Sequence, residues 1–206
     1  MTEYARSSVV YREIRTALDP WCKQNGYRRA RGSEPCWIRS LNASEDVSVG
    51  FRVNAWGSGA TGGSHFHGTL ELAPTNSDVG GAPIRQCDVS LCLLQSELDE
   101  LRQIQTVINR RRPRTPELEA WMREDSGVGE HTRAMYSGNE KPYELGDFVT
   151  FGYYGIDDVR LHCDFLARHI SDIVVRFAAA GCARPKPQPM PAIFAKIYGK
   201  PNDPTT

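Results

Sequence analysis

The sequence predicts an α+β fold, an antiparallel sheet of four or five strands with helices packed on one face. Three observations carry this. Residues 47–55 and 65–73 alternate apolar and polar side chains, the period-two pattern of strands with one buried side. Between them lies a glycine-rich stretch, residues 57–64, which reads as a hairpin loop joining the two runs. Before and after this region, apolar residues recur at three- and four-residue steps, as on one face of a helix.

In chain order, residues 7–24 read as a helix, with Val10, Ile14, Ala17, Leu18 and Trp21 on its apolar face and Asn25-Gly26 as its stop. CWIRSL is the first strand-like run. VSVGFRVNAW follows, with Val47, Val49, Phe51, Val53 and Ala55 on one face, and then HFHGTLELA, with Phe66, Leu70 and Leu72 together. APTNSDVGGAP is a loop. RQCDVSLCLL reads equally as a strand or a helix start. Ser96-Glu97-Leu98-Asp99 has the form of a capping box, opening a helix to about Arg112 with Leu98, Leu101, Ile104 and Ile108 inward. Pro113 stops it, and Thr115-Pro116 starts a short helix. Residues 124–146 lack periodicity, which marks a long connection as functional or disordered. DFVTFGYYG reads as a further strand. Asp157 is the expected cap of the longest helix, to about Ala180, with Val159, Cys163, Leu166, Ile170, Val174 and Phe177 as its inward stripe and Gly181 as its end. The expected organisation is a single α+β domain over 1–182 and a proline-rich tail over 183–206, in which AIFAKIY docks as a short helix.

Composition narrows the function classes. A chain of 206 residues makes one large domain, or one domain with an appendage. The 25 basic and 25 acidic residues balance, so no global field recruits nucleic acid or an anionic membrane. The six cysteines are scattered without C-x-x-C. In the absence of a signal peptide they are expected to be reduced thiols in a cytoplasmic protein. No apolar stretch approaches the ~20 residues that a membrane span needs. The basic clusters RRAR and RRRPR lack interleaved aromatics, and the second falls at a helix C-terminus, where cations offset the dipole.

The stretch FRVNAWGSGATGGSHFHG holds a literal G-x-G-x-x-G at Gly57, Gly59 and Gly62. A dinucleotide fingerprint requires these glycines to open a helix whose N-terminus receives the pyrophosphate; here a strand follows. A kinase glycine loop requires a lysine on the next strand, yet no lysine lies between Lys23 and Lys141. No Gly-Lys-Ser/Thr and no G-x-S-x-G occurs. The glycines therefore read as a turn. His65 and His67, two apart on a strand, share a face and suit two metal ligands. A third ligand is missing locally: Glu71 lies two pairs further on, and His131, His162 and His169 would have to arrive through the fold. No metal and no cofactor is expected.

Symmetric pairing about a loop at 57–64 sets Trp56 opposite His65, Asn54 opposite His67, and Arg52 opposite Thr69. Together with Glu71 these residues form a polar, aromatic outward face, of the kind that anchors protein partners. The competing reading is a solvated face with Trp56 covered by a loop or the C-terminal segment.

The order of an N-terminal helix, NGYRRARG, CWIR, FRVNAWGSGATGGSHFHGTLEL and ELDELRQIQTVI resembles the bacterial domain-of-unknown-function family 4304, best over residues 10–110. That family has no established catalytic residues. Some of its members resemble, in their setting, small cytoplasmic proteins that neutralise bacterial toxins. The expected function is a non-enzymatic cytoplasmic protein-binding module that acts by steric occlusion through the outward face and the 124–146 loop, and the resemblance implies its specific form, an immunity protein that inhibits a toxin. The expected partner is thus a protein, a toxin in the specific case, and neither membrane nor nucleic acid. The alternative is a metal-dependent or nucleotide-using enzyme with His65, His67 and Glu71 in its site.

Overall fold

The structure is a computed structural model that describes residues 6–54, 64–75, 83–111, 116–123, 133 and 142–180. The glycine-rich hairpin tip with Trp56, most of the 124–146 connection and the 183–206 tail lie outside the described residues.

Helix α1, Ser7–Gln24, buries Val10, Ile14, Leu18 and Cys22, which recur every four residues on one face. It stops as expected: the Asn25 N–H and side-chain amide both donate to the Trp21 carbonyl, and Gly26 takes φ +74°. Six antiparallel strands follow: β1 Arg28–Arg29, β2 Cys36–Ser40, β3 Glu45–Val53, β4 Ser64–Pro74, β5 Arg85–Asp88 and β6 Phe151–Tyr153. Their order is β1-β2-β3-β4-β5, with β6 also paired to β4. β3 occupies one edge of β4, while β5 and β6 share the other, at Thr69–Leu72 and Ser64–Phe66 respectively. β6 falls within DFVTFGYYG as expected, and the one strand not read from the sequence is β1, whose two residues are too few for alternation.

The buried face carries Val47, Val49, Phe51, Val53, Phe66, Leu70 and Leu72. Aromatic rings run through it from Trp37 to Phe51, Phe66, Phe151 and Phe165, with successive centroids 4.9–6.5 Å apart. Three further helices are α2 Gln95–Arg111, α3 Pro116–Arg123 and α4 Ile156–Ala180. α1 and α4 pack on each other and against the sheet, and α2 packs on α4 and β6. All six residues of the expected α4 stripe are buried.

RQCDVSLCLL resolves into both of its readings: β5 runs to Asp88 and a 3-10 turn, Val89–Cys92, follows at once. Two of the three expected helix caps are displaced, and the third, Thr115, lies outside the described residues. α2 begins at Gln95, ahead of Ser96, because the Glu97 carboxylate reaches back to accept the Leu94 N–H at 2.8 Å. α4 begins at Ile156, and Asp158, not Asp157, accepts from the Tyr154 and Gly155 N–H groups at 2.9 and 3.0 Å. In each case an acidic side chain in the first turn satisfies donors that precede the helix. Asp157 instead pairs with Arg160 on the surface.

Candidate functional site

The outward face of the sheet is assembled in cross-strand rows. Cys36, Gly50, Thr69 and Asp88 form one row across β2, β3, β4 and β5. Ile38, Ser48, Glu71 and Gln86 form the next. Arg52 stands opposite His67, and the Asn54 N–H donates to the His65 carbonyl at 2.9 Å.

This register corrects the expected one by two residues: Arg52 faces His67 rather than Thr69, and Asn54 faces His65 rather than His67. A shift of two keeps every side chain on its expected face, whereas a shift of one would have inverted them. The cause lies on the buried side. Phe51 sits opposite Gly68, where an added Cβ would lie 2.8 Å from the Phe51 ring and 2.7 Å from Val89 Cγ2. The expected register would have set Phe51 against Leu70 and left the glycine void to Val53. The ring takes the void instead, and the pairing follows.

Arg52, His67, Thr69 and Glu71 open onto a groove of about 340 Å³, also lined by Glu34, Pro35, Cys36, Ser48, Gly50 and Gln86. Gly50 forms part of its floor, where an added Cβ would meet only ordinary contacts with Cys36 and Pro35. Its charged groups are already engaged. Arg52 Nε donates to Glu34 at 3.0 Å, and Gln86 Nε2 donates to Glu71 at 2.7 Å. The Arg52–Glu34 pair is largely exposed, so it orients two side chains while adding at most about 1 kcal/mol.

Burial pushes the Cys36 thiol up, and the Glu71 and Glu34 carboxylates push it further the same way, so it remains a neutral thiol. Burial also lowers His65, with His67 adding to the effect. His65 is therefore a neutral imidazole, and Asn54 Nδ2 lies 2.9 Å from its Nε2. Asp88 is raised, mainly by burial, against the opposing effects of its Ser90 hydrogen bonds and of His67.

The seven expected face residues separate as follows. Arg52, His67, Thr69 and Glu71 line the groove, Asn54 and His65 pair at its β3–β4 end, and Trp56 lies outside the described residues. Glu34, Pro35, Cys36, Ser48, Gly50 and Gln86 also line the groove and were not among the expected face residues. Alternation carried from β3 into β2 and β5 is the signal that places Cys36 and Gln86 on this face.

His162 and His169 serve the scaffold. His162 is fully buried and its Nε2 donates to the Gly152 carbonyl at 2.9 Å, while Gln105 Oε1 accepts the Gly152 N–H at 3.2 Å. Together they satisfy the open edge of β6, which would otherwise expose unpaired backbone groups. His169 lies between Glu97 and Glu100 where α2 meets α4. His131 is outside the described residues. Among the described residues no three His, Cys, Asp or Glu side chains converge as metal ligands, and no helix is long and apolar enough to cross a membrane.

No family model, no curated protein and no solved structure matches this chain.

Proposed function

We propose that the chain is a protein-binding module that engages its partner through the outward face of β2–β5, centred on the Arg52–His67–Thr69–Glu71 groove. The observation that carries this reading is the groove itself. It opens on the sheet face opposite the packed helices, and its charges are held in place by neighbours within it. Side chains fixed before binding lose little rotamer freedom on contact, which favours a recognition surface. Burial holds Cys36 as a neutral thiol, and Asn54 Nδ2 pairs with the His65 ring. The immunity role, inhibition of a toxin by occluding its site, rests on the resemblance to the family 4304 and is the specific form of this proposal.

The experiment is co-expression with the product of a neighbouring gene. The expected result is a one-to-one complex in which the partner's activity is suppressed, lost in Arg52→Glu and Trp56→Ala. A complex unchanged by both substitutions removes the face from the account. Stoichiometric zinc or iron in the purified protein, lost in His65→Ala and His67→Ala, would instead support the enzyme reading.

A further inference from the structure

The sulfurs of Cys87 and Cys92 lie 3.3 Å apart, side by side in the core. A disulfide requires about 2.05 Å between sulfurs, so closure needs a movement of little more than 1 Å, within the reach of side-chain rotation. The backbone that carries them is pinned from several sides. The Asp88 side chain accepts the Ser90 N–H at 2.8 Å, Ser90 Oγ accepts the Val149 N–H at 3.1 Å, and Arg176 Nε donates to the Cys92 carbonyl at 3.0 Å. The two sulfurs therefore meet because β5 and the 3-10 turn after it are held in register, not through chance approach of a loose segment.

We propose that Cys87 and Cys92 are a dithiol modification site that a hydroperoxide converts to a reversible intramolecular disulfide. One sulfur attacks the peroxide, forming an S–O bond as the O–O bond breaks. An alcohol or water leaves with the proton, and that cysteine becomes a sulfenic acid. The second sulfur then attacks the sulfenic sulfur, the S–S bond forms, the S–O bond breaks, and water departs with the second thiol proton. Two thiols are thus oxidised by two electrons and one peroxide is reduced. An external thiol restores the pair by exchange. The bond closes the turn Asp88–Leu91 one residue away from Gln86 and Asp88, both on the groove face, and so stiffens the β5 side of the groove.

The test uses hydrogen peroxide at about one equivalent on the folded full chain, followed by denaturation, alkylation and trypsin. Arg85 and Arg102 bracket both cysteines on a single peptide, residues 86–102. The expected peptide is about 2 Da lighter than the dithiol form and carries no alkyl group. A reducing thiol returns it to the doubly alkylated form. In Cys92→Ser the remaining thiol is expected to be trapped as a sulfenic acid by dimedone, with circular dichroism confirming the fold. A wild-type peptide that stays doubly alkylated after peroxide, or that proceeds to sulfinic acid without passing through the disulfide, overturns the proposal independently of any binding result.

Discussion

Phe51 on β3 lies directly across from Gly68 on β4, and its ring occupies the space that a side chain at position 68 would need. One small residue thus fixes the pairing that sets Arg52 against His67 on the opposite face. Gly68→Ala forces a Cβ to within 2.8 Å of the ring and 2.7 Å of Val89. Overpacking of this kind costs about 1–3 kcal/mol. The expected result is a lower urea midpoint with an unchanged slope, partly restored in Gly68→Ala with Phe51→Leu. A fully additive double mutant would contradict the pairing.

The groove is expected to tolerate filling without loss of the fold. Thr69 projects outward between Gly50 and Asp88, so Thr69→Arg occupies the groove while leaving the core untouched. Its stability should stay within about 0.5 kcal/mol of wild type, as for other surface changes. A drop of several times that amount in thermal unfolding would mean that the groove is part of the packed core.

His162 gives stability a pH dependence with a definite sign. Burial first, against weaker opposing effects from the Gly152 hydrogen bond and Asp158, lowers its pKa to about 4. Between about 6.5 and 4 the unfolded chain binds a proton that the folded chain refuses, so stability falls as pH falls through that window. The full contribution is roughly 3 kcal/mol. Glu100 acts in the same direction: burial would raise it, but Arg168 and His169 hold it low. The comparison is therefore with His162→Gln, which keeps an amide donor for Gly152 and does not titrate. Urea unfolding at pH 7 and pH 4 should show a smaller loss in the variant. Equal losses in both proteins would exclude His162 as the source.

Glu97 is the hub between α2 and α4. Its buried carboxylate accepts the Leu94 N–H at 2.8 Å and meets Arg176 at 2.6 Å and His169 at 3.4 Å. Glu97→Ala leaves a helix-start donor and a partly buried guanidinium without this acceptor, at an expected cost of about 3 kcal/mol. Thermal unfolding reads it. A loss below about 0.5 kcal/mol would place the interface strength elsewhere.

The legible parts of the sequence were those with sustained periodicity. The α4 stripe, the α1 face and the alternation of β3 and β4 each repeat several times, and each appears in the structure with the expected side buried. Face assignment on β3 and β4 depends only on parity and was readable. Register was not, because it turns on the volume at Gly68, a tertiary fact. The helix caps were displaced for a related reason: Ser96 and Asp157 carry the usual capping chemistry, but Glu97 and Asp158 reach the free donors. The groove needed β2 and β5 beside the hairpin, and short strands bring together residues that sequence distance keeps apart. Glu34 and Gln86 are such a case.

Titration calorimetry of the neighbouring gene's product against wild type, Thr69→Arg and Val175→Arg locates the binding surface. Val175 is exposed on α4, in the helical layer behind the sheet. Thr69→Arg is expected to weaken binding by at least about tenfold, equivalent to about 1.4 kcal/mol, with Val175→Arg unchanged. Wild-type affinity in Thr69→Arg alongside lost affinity in Val175→Arg would contradict this and move the binding surface to the helices.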